Sequence, residues 1–360
     1  MKGKILAIAT VDILVFFLLV PFVLAHSPLG TGDNESLDKA TVIPDPTKSW
    51  ALYSQLNNDG DAQYYQFNVT AGQKIHFTMY KSMSPEDATF NPRLVMIGPY
   101  VIAQGDIPTK ITIPPSSNAR LVSQTEPTPT YEPFSPSTFI GLADETLDNP
   151  APGSYYLVVF EQSAAPTGGH YGLAVGDRET YTIDEWILIP FNLMTIYQWE
   201  GQSLALVLTP MISTLVIGII LVIGRFKKQN NLTNPMAWLG AIAGLTFIGT
   251  AATTLFQMIA SATHVAIGAD VLVTIIFTIF PLAIGLVTLR FSVKGSDKVN
   301  VKKRAYLVVL GVAALFIWAG LLIGPVLAIV ASAMPTSLGR KKLGHPTQAN
   351  LTTNVRRHKA

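Results

Sequence analysis

Four long apolar runs in the second half of the chain limit what it can fold into. They cover about residues 204–224, 236–260, 269–289 and 305–334, and none has a charged side chain in its central part. Each run is close to the roughly 20 residues that an α-helix needs to cross the hydrocarbon core of a bilayer. Because lipid offers no partner for backbone polar groups, a helix is the form that such a run takes there. The sequence therefore predicts a bundle of four transmembrane helices.

Basic residues are distributed unevenly around these runs. The connection after the first run holds Arg225, Lys227 and Lys228, and the connection after the third run holds six Lys and Arg residues. The connection between the second and third runs, residues 261–268, holds none. Connections that are rich in Lys and Arg stay in the cytoplasm, so the part of the chain before residue 204 is predicted to lie outside.

The tail, residues 335–360, does not follow this pattern. After four crossings it would lie outside, yet it carries six basic residues and no acidic one. One explanation is that these late charges do not override an orientation that is set earlier in the chain. The other is that the last run, which is broken by Gly324-Pro325, is not a simple single crossing. Four crossings is the interpretation that we adopt from the sequence.

The start of the chain has the pattern of an export signal. Lys2 and Lys4 precede a mostly apolar stretch, residues 5–24, and Val23-Leu24-Ala25 is a small-residue cleavage site. The sequence predicts a signal peptide over residues 1–25, whose removal would leave His26 as the new N-terminus. An uncleaved signal anchor is the alternative, because the apolar stretch nearly reaches spanning length.

Residues 26–200 differ sharply from the helical part in charge. They carry 20 acidic against 8 basic residues, whereas the rest of the chain carries 3 against 17. Nucleic-acid binding needs a concentrated basic surface, so we expect no nucleic acid among the partners. The chain has no cysteine, which excludes disulfides, thiolate metal sites and a cysteine nucleophile. No phosphate loop, HExxH motif or nucleophile elbow is present, so we expect no enzyme.

Apolar residues alternate with polar ones between residues 26 and 180, which is the pattern of β-strands. Two strands are predicted on either side of a turn at Ala71-Gly72, and two more near the end of this region. Several short strands separated by Gly and Pro predict an all-β sandwich. Residues 99–152, rich in Pro, Ser and Thr, are expected to form long loops over it. The apolar members of the four strands are Tyr65, Phe67 and Val69; Ile75, Phe77 and Met79; Tyr156, Val158 and Phe160; and Tyr171, Leu173 and Val175.

Several segments of the same region follow a recognisable pattern. They are Asp33-Asn34-Glu35, Asp61-Ala62-Gln63-Tyr64-Tyr65-Gln66-Phe67, Gly72-Gln73, Pro152-Gly153-Ser154-Tyr155-Tyr156 and residues 169–175. With these segments, residues 30–176 resemble the bacterial pre-peptidase C-terminal domain. The resemblance implies a small β-sandwich of the kind found beside secreted hydrolases and on prokaryotic cell surfaces, where it assists binding or stability without catalysing a reaction.

The segment between sandwich and helices, residues 181–203, begins with the spacing of a capping box, Thr182-Ile183-Asp184-Glu185. A helix is predicted to start there. Because aromatic rings settle at the boundary between lipid and water, we expect this segment to lie in the outer membrane interface. The alternative is that it closes the bottom of the sandwich. Its candidate interface residues are Trp186, Phe191, Tyr197 and Trp199.

Two metal sites are conceivable in the outer domain. A free N-terminal His26 could chelate copper with its amine and imidazole, helped by His76 or His170. The loop Asn57-Asn58-Asp59-Gly60-Asp61 has the oxygen-rich composition of a calcium site, with Asp59 and Asp61 as ligands. An exported protein can begin with histidine by chance, and Asn, Asp and Gly are also the usual residues of a turn that binds no metal. We therefore expect no cofactor, with copper or calcium as the alternatives.

In the second apolar run, Thr246, Thr250, Thr253 and Gln257 form one polar stripe at helical spacing. The stripe could line a hydrophilic path, but hydroxyl groups more often bond within the helix or to a neighbouring one. Two pairs of glycines, Gly240 with Gly244 and Gly320 with Gly324, are spaced for close helix contact.

Three functional hypotheses follow. The first is a non-enzymatic protein of the prokaryotic cell surface, held in the membrane lipid by its helices, whose sandwich binds an envelope component, a polysaccharide or a protein. The second is a copper-handling protein that uses His26. The third is a subunit of a small-solute channel or transporter that uses the polar stripe.

Overall fold

The computed structural model describes residues 26–57, 60–229, 231–266, 268–294 and 301–336. The predicted signal peptide and the basic tail from residue 337 onward lie outside these residues, as does Asp59.

The first half of the described chain forms two β-sheets. The six-stranded sheet has the order β1-β3-β11-β5-β9-β8 and the five-stranded sheet the order β2-β4-β10-β6-β7. All pairs are antiparallel except β1 with β3 and β2 with β4. The strands are β1 (Ser27–Pro28), β2 (Thr41–Val42), β3 (Trp50–Leu56), β4 (Ala62–Val69), β5 (Lys74–Ser82), β6 (Pro92–Gly98), β7 (Asn118–Leu121), β8 (Thr128–Glu132), β9 (Ser137–Asp148), β10 (Gly153–Glu161) and β11 (Gly169–Val175).

The predicted strands are confirmed, but each sequential pair is divided between the two sheets. The turn at residues 70–73 carries the chain from β4 in one sheet to β5 in the other, and Gly72 supplies the positive φ of 82° that this turn needs. Phe67 and Phe77 therefore meet across the sandwich in the same buried core. The predicted apolar faces of β4, β5 and β11 border this core. In β10 the residues that face the core are Tyr155, Leu157 and Val159, whereas the predicted Tyr156, Val158 and Phe160 lie on the outer face, beside the loop at residues 99–117. Both faces of β10 are apolar, so alternation alone could not tell which one is inside.

The stretch at residues 99–152 differs from the loops predicted for it, because it also contributes β7, β8 and β9. Proline blocks a strand only where its missing N–H would be needed by a neighbour. Pro129 is accommodated in β8, which lies at the edge of the six-stranded sheet. Residues 99–117 do form a loop, and its Ile107 and Ile111 pack on the outer face of the five-stranded sheet against Val95 and Val158.

Six helices follow within the described residues. Three of them, α2, α3 and α4, are long and apolar enough to cross a membrane. The helices are α1 (Ile183–Trp199), α2 (Leu204–Gln229), α3 (Pro235–Ala262), α4 (Val271–Val293), α5 (Val301–Phe316) and α6 (Ile323–Ala333).

The fourth predicted transmembrane helix is wrong. Residues 305–334 do not form one helix but belong to α5, a break and α6. Trp318, Gly320, Leu321 and Leu322 have positive φ angles within the break, and a right-handed helix cannot continue through such residues. Hydropathy could not reveal the break, since its residues are as apolar as the helices that they separate.

The two halves of this last run lie antiparallel, as a hairpin. Arg304 at the start of α5 donates hydrogen bonds to the carbonyl oxygens of Ser332 and Met334 at the end of α6. Farther along, Gly311 lies against Ile329. The described chain therefore returns to the end of the bundle from which α5 began, and the expectation that the tail follows a fourth crossing is corrected.

Glycines set the closest approach between helices, as their spacing predicted. A Cβ at Gly244 of α3 would lie 2.7 Å from the backbone nitrogen of Leu289 in α4, and Gly285 of α4 is equally close to the backbone of α3. Gly320 and Gly324 of the hairpin lie against the side chains of Thr246 and Phe247. Side chains at these positions would separate the backbones.

Candidate functional site

The contact between the sandwich and the helices begins at the N-terminus of α1. The capping box predicted there is confirmed: Thr182 and Glu185 exchange hydrogen bonds between side chain and backbone. Glu185 also forms a salt bridge with Lys48 of the sandwich, at 2.6 Å and largely shielded from solvent. Burial acts to raise the pKa of Glu185, but the hydrogen bonds from Lys48 and Thr182 together with the positive charge of Lys48 outweigh it and hold the pKa below its usual value. One carboxylate thus caps α1 and fixes it to the sandwich.

The other end of α1 is fixed to the outer face of the six-stranded sheet. The indole nitrogen of Trp199 donates to the carbonyl oxygens of Ser54 and Tyr171, and its ring packs edge-on against Tyr53 and Tyr80. The helix therefore covers this face of the sandwich.

The turn between β8 and β9 reaches the ends of α3 and α4. Thr274 of α4 donates to the carbonyl oxygen of Pro133 at 2.6 Å and accepts a hydrogen bond from the hydroxyl of Tyr131. Ser261 of α3 donates to the carbonyl oxygen of Pro136. Backbone carbonyls of a proline-containing turn are thus satisfied by hydroxyl groups at helix ends.

An aromatic cluster joins the tip of the hairpin to the same turn. Phe134 packs edge-on against Phe277 of α4 and against Trp318 in the break between α5 and α6. Trp318 also donates its indole N–H to the carbonyl oxygen of Trp186 in α1. The hairpin therefore extends from the basic end of the bundle to the sandwich.

Two carboxyl groups lie within this junction, and both are partly buried. Burial raises the pKa of Glu200 to about 8, although Thr138 and Gln202 donate hydrogen bonds to its oxygens. Burial likewise raises the pKa of Glu132 to about 7, although the backbone N–H of Phe134 donates to it. Both groups therefore exchange protons near neutral pH.

A reciprocal amide pair links the junction to α3. Gln202 and Gln257 each donate to the other's side-chain oxygen, at 3.0 and 2.9 Å. Gln257 is fully buried, so this pair satisfies a polar group that would otherwise be costly to bury. Gln257, predicted as part of a polar stripe, belongs to the junction.

The rest of the stripe faces the hairpin or bonds within its own helix. Thr246 donates to the carbonyl oxygen of Ala243, one turn back. Thr250 accepts a hydrogen bond of 2.7 Å from the backbone N–H of Gly320 in the hairpin break. Thr253 is buried and its hydroxyl has no hydrogen-bond partner within the described residues. The contacts of Thr246 and Thr250 are those of helix packing, and a hydrophilic path along the stripe stays a prediction.

The three candidate copper ligands, His26, His76 and His170, do not lie together. His76 lies on β5 and His170 on β11, and the register pairs Tyr171 with Lys81 and Val175 with Phe77. The two histidines are therefore about six residues apart along adjacent strands, which is roughly 20 Å. A single ion could bind at most one of them together with His26, and the copper hypothesis stays a prediction.

Each histidine also has partners of its own. His26 contacts the hydroxyl of Ser49. His76 lies between Asp144 and Asp177; burial disfavours its charged form, but these two hydrogen bonds outweigh burial and raise its pKa. His170 contacts the buried carboxyl of Asp87.

Metal-ligating side chains do not cluster in the part of the chain that the structure describes. Over these residues, no group of three or more His, Asp or Glu side chains is placed to hold a metal ion. Asp61 lies just before β4, and the calcium hypothesis also stays a prediction.

The four candidate interface aromatics divide into two groups. Tyr197 and Trp199 are buried between α1 and its neighbours. Phe191 is half exposed, and Trp186 packs against Trp318 of the hairpin. Trp199 packs with Tyr80 and Ala174 on the outer face of the six-stranded sheet. The assignment of the segment to the membrane interface stays a prediction.

Comparison with solved structures gives one finding for the sandwich. The chain is similar to the crystal structure of the pre-peptidase C-terminal domain of a collagenase from Bacillus anthracis, with 17% identity and a TM-score of 0.21. The match covers 38% of this chain and 93% of that chain. This is the domain family that residues 30–176 resemble, and the likeness concerns the fold alone. No family model and no curated protein matches the chain.

Sequence reasoning missed four residues of the junction: Glu132, Glu200, Gln202 and Trp318. The position of Glu200 and Gln202 directly before the first apolar run was a usable signal, because a polar residue at that point must find its partner at the membrane boundary. Glu132 and Trp318 gave no such signal, since their environment depends on the turn and the hairpin that meet there.

Proposed function

We propose that this chain is a non-catalytic protein of the prokaryotic cell surface, which holds a binding sandwich in a fixed orientation above the membrane. The observation that carries the proposal is the docking of the six-stranded sheet on α1 and on the ends of α3 and α4. A domain on a flexible tether would not need these contacts. The five-stranded sheet is then the face turned toward the envelope.

The loop over that distal face supplies a recognition surface. Residues 99–117 are anchored by Ile107 and Ile111, while Tyr100 and Ile102 remain 73% and 83% exposed. Aromatic and aliphatic side chains that project from an anchored loop are frequent energetic centres of binding interfaces. We therefore assign these two residues to contact with an envelope component, a polysaccharide or a partner protein.

The orientation follows from charge. Arg225, Lys227, Lys228, Arg290 and Lys294 all lie at the end of the helices that is opposite the sandwich. The positive-inside rule assigns that end to the cytoplasm and the sandwich to the outside.

Site-specific photo-crosslinking in native membranes tests this function. A photoreactive residue at position 100 or 102 should give a covalent adduct with one envelope component. A matched probe at Thr128, exposed on the edge strand β8, should not. The replacement of both Tyr100 and Ile102 by serine should abolish retention of that component by the full-length protein. Equal adducts from all three positions, or none from 100 and 102, would refute the proposal.

A further inference from the structure

A lipid-facing groove lies between α2 and α4 of the bundle. Both helices pack on α3, and they leave between them a cavity of about 660 Å³, which is within the usual range for ligand pockets. Ile217 and Leu221 of α2 form one wall and Leu286 of α4 the other, with Leu245 of α3 as the floor.

The mouth of the groove opens to the side of the bundle. Ile217 is 60% exposed, Leu221 69% and Leu286 53%, and all three belong to helices that are long and apolar enough to span a membrane. In a bilayer these side chains face hydrocarbon, so an acyl chain can enter laterally while a water-soluble ligand cannot reach the groove.

Two arginines close the groove at one end. Arg225 in the last part of α2 and Arg290 in the last part of α4 both line the cavity, and both are exposed. Within the described part of the chain neither guanidinium forms a salt bridge. A pair of positive groups at the depth of the lipid headgroups is thus left without a negative partner from the described protein.

Guanidinium groups suit phosphate because their planar N–H donors match two phosphate oxygens at once. Basic pockets between transmembrane helices on the cytoplasmic side are known to take anionic headgroups. The apolar walls and the two arginines together match the two parts of one molecule, an acyl chain and a phosphate headgroup.

We propose that the groove between α2 and α4 is a binding site for one anionic phospholipid of the inner leaflet, with its headgroup phosphate between Arg225 and Arg290. The acyl chain lies along Ile217, Leu221 and Leu286. The assignment to the inner leaflet rests on the orientation proposed above, but the site does not depend on what the sandwich binds.

Native mass spectrometry of the full-length protein in mild detergent tests this site. Phosphatidylglycerol and phosphatidylcholine with identical acyl chains are the two probes. We expect one phosphatidylglycerol molecule to be retained in preference to phosphatidylcholine. Replacing both arginines, Arg225→Gln with Arg290→Gln, should weaken that retention about tenfold or more, as the loss of two headgroup contacts implies.

Two further variants separate this site from general attraction to basic surfaces. Lys227→Gln with Lys228→Gln removes the same charge from the end of α2 at positions that do not line the groove, and should leave retention unchanged. Ile217→Trp fills the groove without altering charge, and should reduce retention of phosphatidylglycerol. Equal retention of the two lipids, or equal losses from the lysine and arginine variants, would overturn the assignment. Thermal unfolding without added lipid checks that all variants are folded.

Discussion

Arg304 and Met334 are 30 positions apart in the sequence, yet the Nη2 atom of Arg304 donates a hydrogen bond of 2.8 Å to the carbonyl oxygen of Met334. This bond joins the start of α5 to the end of α6. The last apolar run therefore ends where it began, beside the other basic connections. By the positive-inside rule, we therefore expect position 336 to lie on the same side of the membrane as the other basic connections.

The first prediction concerns the side on which position 336 lies. The chain has no native cysteine, so single cysteines can be labelled without background. In intact cells, a membrane-impermeant maleimide should label Thr128→Cys on the sandwich but neither Thr336→Cys nor Gln229→Cys. All three should react after permeabilisation. If Thr336→Cys behaves like Thr128→Cys, the last run crosses the membrane once without returning and the hairpin is refuted.

The second prediction concerns the amide pair between Gln202 and Gln257. Gln257→Leu leaves the side-chain oxygen of Gln202 without its hydrogen-bond donor, and should lower the free energy of unfolding by about 0.5–2 kcal/mol. The double change to leucine should recover only part of that loss, because it removes the unpaired oxygen but also the hydrogen bond from Gln202 to Glu200. Thermal unfolding of the full chain in detergent measures both effects. As a control, Thr254→Val removes a hydroxyl that bonds only to its own helix, at Thr250, and should change stability less.

The third prediction is a pH dependence of the junction. The pKa of Glu200 is raised to about 8 in the folded protein from an ordinary value of 4.5, so the folded state holds more protons than the unfolded state between these values. The contribution of Glu200 to stability is then fully present below pH 4.5 and is lost as the pH rises toward 8.

The midpoint of thermal unfolding should therefore fall more steeply between pH 5 and 8.5 in the wild type than in Glu200→Gln, which cannot titrate. Glu132 acts in the same direction but is present in both proteins, so the difference between them isolates Glu200. Glu126→Gln, at an exposed loop position, should keep the slope of the wild type. An unchanged slope in Glu200→Gln would contradict the prediction.

The fourth prediction concerns the contact between α3 and α4. Gly244→Ala places a Cβ 2.7 Å from the backbone nitrogen of Leu289 and 2.9 Å from the carbonyl oxygen of Gly285. The helices must separate, at a cost of about 1–3 kcal/mol. Gly224→Ala makes the same chemical change where nothing lies within 4 Å, and should cost nothing. Comparable losses in the two variants would show that alanine itself, and not the contact, is responsible.

Several features of this protein follow from local sequence alone. Alternation places Phe67 and Phe77 on the buried faces of strands, and hydropathy identifies the three helices that can cross a membrane. Thr182 and Glu185 identify the start of α1. These features depend on neighbours within a few positions, because strand alternation, helix length and capping are properties of short segments.

The way in which distant segments meet is instead a property of the tertiary structure. Hydropathy could not show that the run at residues 305–334 folds back at Trp318, since leucine and tryptophan are apolar whether the backbone continues or turns. Nor could spacing show that Glu200 and Gln257 share one junction, because Gln202 connects them only after α1 and α3 are in place. Burial and hydrogen-bond partners are set by contacts between residues far apart in the chain, and those contacts give Glu200 its raised pKa and Gln257 its partner.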